Sequence, residues 1–242
     1  MFVDVVDLRD FYMGRLGQVA LRVVRDRVRR VWPDVTGMRV LGLGYATPYL
    51  KPFLGEAERV FALMPASQGV LPWPQGERNL VALADNGELP LQDYSIDRVL
   101  LVHGLEFSEQ SRALLTEVWR VLAGGGRILV LVPNRRGLWA RNPVSPFGHG
   151  NPYSQAQLSR FLREASFTPE RVDAALFVPP AKSRMILRSA RAWERIGQRW
   201  FNNFGGVAMI EATKQLYRPA VERAERRRPV YVPANAPLVP GR

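Results

Sequence analysis

Residues 41–48 read Leu41-Gly42-Leu43-Gly44-Tyr45-Ala46-Thr47-Pro48, an apolar run that opens into a glycine turn and then meets a proline. Glycine tolerates the tight backbone of a strand-to-helix turn, and Pro48 suits the first turn of a helix, where its missing N–H leaves no bond unmade. Working outward, short apolar runs at 39–43, 60–64, 80–84, 97–102, 127–132, 172–178 and 207–213 read as seven strands. Helical periodicity fills the intervals at 49–54, 108–122 and 155–164. The residues at 124–126 are three glycines, which we expect to terminate the 108–122 helix. Strands alternating with helices predict a doubly wound, mostly parallel α/β sheet.

Two flanking elements complete that frame. Residues 1–32 predict one long N-terminal helix capped by Asp7, with Leu8, Tyr12, Leu16, Val19, Val23 and Val31 on its apolar face. A helical insertion at 184–201 precedes the last strand. The loop at 135–152 is longer than most connections and is a candidate lid. Ligands in such sheets collect beyond the carboxyl ends of the strands, where Gly44, Met64, Asp85, His103 and Asn134 all fall.

Composition removes several chemistries. The 242 residues contain no cysteine and only two histidines, His103 and His149, so disulfides, thiolate nucleophiles and a Cys- or His-based metal centre are not expected. No apolar stretch approaches the roughly 20 residues needed to span a bilayer, and the first residues lack the basic flank of a secretory signal. The expected compartment is therefore the cytoplasm. The formal charge of +12 is unevenly placed: residues 33–120 hold seven basic and eleven acidic side chains, whereas residues 183–242 hold twelve basic and four acidic. Such a C-terminal end can attract RNA, an anionic membrane or an acidic protein partner, or can be a solvated arginine surface. Residues 218–242, with Arg226-Arg227-Arg228 among prolines, read as a disordered basic tail.

The motifs resemble those of class I S-adenosylmethionine-dependent methyltransferases, in the type 11 small-molecule branch. The resemblance spans roughly 39–134. Its first loop matches Val40 to Pro48, with Gly44 as the central glycine and with Gly42, Ala46 and Pro48 where the family carries an acid and two further glycines. Asp85-Asn86-Gly87-Glu88-Leu89-Pro90 resembles the segment whose Asp accepts from the adenine amino group. His103-Gly104-Leu105-Glu106-Phe107 resembles the family's strand ending, and Arg120-Val121-Leu122-Ala123-Gly124-Gly125 its crossover signature. Met64 stands where the family places the acid that holds the ribose.

The resemblance implies a Rossmann-like methyltransferase fold over 1–217, with a cofactor-binding half at 39–134 and a substrate-side half at 135–217. It implies S-adenosylmethionine as cofactor, held by Gly42, Gly44, Tyr45, Ala46, Met64, Asp85, Asn86 and His103, and a small-molecule acceptor. His103, His149, Tyr45 and Tyr153 are the candidate proton-handling groups. Without the ribose acid, a charge-assisted bond of about 1.5–3 kcal/mol is lost, so the implied cofactor binding is weak. Two readings stay open: methyl transfer to a small acceptor, or a catalytically inactive methyltransferase-like binding or regulatory protein.

Overall fold

The computed structural model describes residues 4–181 and 183–216; the expected basic tail lies outside them. Seven strands form one sheet in the order β3-β2-β1-β4-β5-β7-β6. They are β1 (Arg39–Gly44), β2 (Arg59–Pro65), β3 (Val81–Ala84), β4 (Ile96–Val102), β5 (Leu122–Pro133), β6 (Phe167–Ala175) and β7 (Val207–Lys214). The first five pair in parallel, and β7 lies antiparallel between β5 and β6. Strand order reverses between β1 and β4, where Gly44 stands opposite Val102. This is the crevice in which ligands of such sheets bind.

Each face of the sheet buries an apolar layer. One face packs under α1 (Val5–Met13) and α2 (Arg15–Val31), through Leu8, Tyr12, Val24, Tyr49, Met64 and Met209. The other packs under α4 (Ser111–Val121) and α5 (Gln155–Glu164), through Leu43, Leu101, Leu115, Val130, Leu158 and Ile210. The second of these helices has the boundaries its periodicity predicts, and Ser154 and Gln157 close a reciprocal capping box at its start.

Several local expectations are corrected. The N-terminal helix is capped by Asp4, whose carboxylate accepts from Val6 N at 2.7 Å, and it breaks at Gly14 into two helices. The break changes the helical phase, so Ala20, Leu21, Val24 and Val28 are the apolar side chains that α2 buries beside Gly17 and Arg27, while Leu16, Val19, Val23 and Val31 sit half-buried at its edges. Gly124 to Gly126 do not end a helix but lie inside β5, where the pairing with β4 slips between Leu122 and Arg127 and Gly125 takes a φ of +76°. The strand expected at 172–178 begins at Phe167, with Pro169 tolerated because β6 is the sheet edge. The insertion is two helices, α6 (Arg184–Arg188) and α7 (Ala190–Trp200), broken at Ser189. Past the glycine turn only one α-helical turn forms, α3 (Thr47–Leu50), followed by a 3₁₀ turn over Lys51–Phe53.

Gly17 lets α1 and α2 cross closely. A Cβ there would stand 2.0 Å from Phe11 O and 2.7 Å from Tyr12 Cα, both backbone atoms that cannot swing aside. On helix propensity alone Gly17→Ala would stabilise by about 1 kcal/mol, but forced overpacking costs about 1–3 kcal/mol. The clash is the larger effect. Gly17→Ala should lower the urea midpoint of unfolding without a comparable change in its slope, and a raised midpoint would show that the crossing relaxes freely.

Candidate functional site at the carboxyl ends of β1 and β4

The turn after β1 is shaped by the protein's own backbone. Gly44 has a φ of +69°, and a Cβ there would lie 2.4 Å from Val102 O and 3.0 Å from Gly104. Gly42 is confined as well, since an added Cβ would meet Leu50 Cδ1 at 2.6 Å and Ala46 Cβ at 2.9 Å. Both glycines are thus required for strand-to-strand and helix-to-strand contact, whatever else they touch.

Beyond β4, His103 adopts a left-handed φ of +49°, uncommon for a residue with a Cβ and frequent at functional sites. Its ring is buried. Nε2 lies 2.7 Å from the Tyr12 hydroxyl, which lies 2.7 Å from the Tyr49 hydroxyl, and Nδ1 lies 3.1 Å from Glu106 Oε1. One donor assignment accounts for all three hydrogen bonds. Tyr49 donates to Tyr12, Tyr12 donates to Nε2, and the Nδ1–H donates to the carboxylate. Glu106 Oε2 is buried with no hydrogen-bond partner. Burial pushes the Tyr12 hydroxyl well above its ordinary range, aided by Tyr49, and does the same to Tyr49; Tyr45 is raised to about 12 by burial.

Of the residues predicted from sequence, only some converge here. Tyr45 stacks on Tyr12 at 5.8 Å between centroids, which places it beside His103's partner. His149 stays within its own loop, with Nε2 2.8 Å from Pro143 O. Tyr153 sits under the opposite face of the sheet, stacked on Phe161 at 6.3 Å. The 135–152 loop contributes Phe147 instead, whose ring lies 5.0 Å from His103 and 5.5 Å from Trp139. Met64 is buried in the same apolar layer as Val5 and Tyr12.

A cavity of about 280 Å³ remains on the other side of the crevice. Asp85, Asn86, Gly104, Phe107 and the 65–68 turn border it. Asp85 is exposed at its rim, with Oδ1 accepting from Gly87 N at 2.7 Å. Gln68 lines this cavity and reaches His103: its side-chain amide donates to His103 O, and its backbone carbonyl accepts from Val5 N at 2.8 Å. Tyr12, Tyr49, Gln68, Glu106 and Phe147 were not singled out from sequence. Glu106 lay within a quoted motif, whereas Tyr12 carried only the signal of an apolar helix face.

Comparison with known proteins agrees with this topology. Residues 41–130 match the family model described as a methyltransferase domain. The chain carries a class I S-adenosylmethionine-dependent methyltransferase domain. It is 29% identical over 221 residues to a demethylmenaquinone methyltransferase of Corynebacterium efficiens, covering 88% of this chain and 92% of that protein. Among solved structures it resembles an S-adenosylmethionine-dependent methyltransferase of Thermotoga maritima, with a TM-score of 0.60 at 17% identity over 87% of this chain and 96% of that one. A similar match, TM-score 0.61 at 16% identity, covers 88% of this chain and 98% of a chain from the Haloferax volcanii complex of a methyltransferase with its activator Trm112.

The family's cofactor is S-adenosylmethionine, and of the residues that the resemblance assigns to it Asp85 and Asn86 border open space. For the rest of the cofactor the residues fit less well, because Met64 offers no carboxylate and Tyr12 stacks over Tyr45.

Alkaline pH should test the tyrosine cluster. An unfolded chain releases phenolic protons from about pH 10, whereas buried Tyr12 and Tyr49 retain theirs because their folded pKa is raised. Their contribution is therefore complete below pH 10 and lost as pH rises above it. Each retained proton adds at most about 1.4 kcal/mol per pH unit to the slope. Urea titrations on either side of pH 10 should show this decline, and Tyr49→Phe should remove at most about 1.4 kcal/mol per pH unit of it. An unchanged slope in that variant would remove Tyr49 from the buried network.

Proposed function

We propose that this chain transfers a methyl group from S-adenosylmethionine to a small-molecule acceptor, and that its cleft is closed in the ligand-free protein by its own N-terminal helix. The observation that carries the reading is the stopper. Tyr12 from α1 bonds His103 Nε2 and Gln68 from the turn after β2 bonds His103 O, so two side chains from outside the sheet cover the end of β4. The demethylmenaquinone methyltransferase relative covers nearly the whole chain and supports a small acceptor bearing a ring. Phe11, Tyr45 and Phe147 would offer that ring apolar contact.

When bound, the cofactor supplies an electrophilic methyl group on a sulfonium. Displacement of that kind needs chiefly positioning, with a base only where the acceptor must lose a proton. Asp85 would accept from the adenine amino group, and Asn86 would border the same end. Once the Tyr12 hydroxyl leaves, His103 Nε2 becomes a free proton acceptor whose other nitrogen is already oriented by Glu106. Such an orienting carboxylate fixes the tautomer a base needs.

A second reading is supported by Met64 and by the direct backbone contact of Gly44 with Gly104: a protein that keeps the fold as a binding or regulatory module. Calorimetric titration separates the two. For the first reading, S-adenosylmethionine or its demethylated product should bind on the order of tens of micromolar or worse, for want of the ribose acid. Gln68→Ala should tighten binding, since an apparent dissociation constant is the intrinsic one divided by the competent fraction. Asp85→Ala should weaken it with little change in melting temperature. If neither wild type nor Gln68→Ala gives heat or a thermal shift at millimolar cofactor, the catalytic reading fails and the second stands.

A further inference from the structure

A groove of about 1090 Å³ runs between α2 and the α6–α7 pair, away from the cleft. Eight arginines line it, among them Arg15, Arg22 and Arg30 of α2 and Arg184, Arg191 and Arg195 of the facing helices. Of the eight, Arg27 alone has an ion-pair partner among the described residues, Asp173 at 3.4 Å. Against these eight guanidinium groups the lining holds two acids, Asp26 and Glu194, so the groove is strongly basic on balance and favours any polyanion that can enter among the arginines. Met13, Val19, Val23 and Leu187 give the groove an apolar lining as well.

α7 holds one side of this groove and presents something different on its outer flank. Its inner face is fixed to the domain: Glu194 accepts from Phe177 N at 2.7 Å, and Gly197 lies so close that a Cβ would stand 2.1 Å from the Phe177 ring. With that face committed, Trp193, Ile196 and Trp200 fall within an arc of about 60° at helical spacing, and all three are exposed, Trp200 by 70% and Ile196 by 53%. Exposed Phe201 and Phe204 extend the stripe beyond the helix end, and Met185 of α6 is exposed too. Arg191, Arg195 and Arg199 occupy the remaining arc. A helix with large aromatic and aliphatic residues on one flank and arginines on the other is built to lie at the boundary between lipid headgroups and acyl chains.

We propose that the α6–α7 pair and the arginine groove form a docking surface for an anionic lipid bilayer, with Trp193, Ile196 and Trp200 entering the headgroup region and the groove arginines taking lipid phosphates. The aliphatic members distinguish this occupant from RNA: single strands are gripped by rings that stack on bases, and Ile196 and Met185 have no π face. This surface stands apart from the methyl-transfer reading, and its test uses no cofactor.

The full chain should sediment with vesicles of phosphatidylcholine mixed equally with phosphatidylglycerol, and far less with phosphatidylcholine alone. Added salt should reduce the bound fraction. Ile196→Ser with Trp200→Ser should weaken partitioning about tenfold or more, and Arg191→Ala with Arg195→Ala by roughly tenfold or more, since each arginine near such a surface contributes about fivefold. Both pairs are exposed, so melting should be unchanged, and Ile196→Leu with Trp200→Phe should restore binding. No sedimentation of the wild type overturns the proposal, as does binding undiminished in both variant pairs, which would move the contact to the C-terminal tail. Loss of oligouridylate binding in these variants with no vesicle binding in the wild type would reassign the surface to RNA. A dimer in solution that the serine pair dissociates would reassign it to a second copy.

Discussion

A carboxylate removed from water needs hydrogen-bond donors, and Glu106 obtains its partner from His103, whose ring is in turn held by Tyr12 and Tyr49. That four-member chain ties α1, α3 and the end of β4 to one another at the point where strand order reverses. Much else follows from it. Tyr12 can reach His103 only because α1 lies across the crevice, and α1 lies there because Gly17 permits its close crossing with α2. Phe147 packs on the same imidazole and brings the 135–152 loop down over the other side. The network is satisfied except at Glu106 Oε2, the position in this cluster where an incoming donor would gain most.

The same constraint explains why a familiar sheet carries an unfamiliar cleft. In this domain the two strand-end turns at Gly44 and Gly104 touch directly, and the turn after β2 reaches over to His103 through Gln68. Met64 lies in the same buried apolar layer as the residues of α1, where a carboxylate would be costly without a partner. Charge follows a different division, with the arginines concentrated on the α2, α6 and α7 side, remote from the small cavity at Asp85.

The seven strands, their order of appearance and the helices between them were legible in the sequence, since apolar runs bounded by Gly, Pro and Asp report burial locally. The family came from the resemblance of the Val40–Pro48 loop, the segment starting at Asp85, the strand ending at His103–Phe107 and the Arg120–Gly125 crossover to the motifs of a known family. Phase and breaks were less legible. One register through 1–32 fitted the apolar residues well enough, but Gly14 interrupts it, and only the packed helices reveal that Gly17, not a larger residue, faces α1. The glycine run was read as a helix stop because helix stops use glycine, while here it forms an irregularity inside a strand.

By itself, then, the sequence determined the sheet, the family and the two groups of candidate residues at Asp85 and His103, because those depend on short-range pattern and spacing. Tertiary structure alone decided which of them meet. Tyr12 and His103 are 91 residues apart in the chain and 2.7 Å apart in space, and His149, equally attractive in sequence, spends its ring on its own loop. Contacts at that separation are fixed by how whole helices cross the sheet, a property carried by packing volumes and backbone approach rather than by any local stretch of residues.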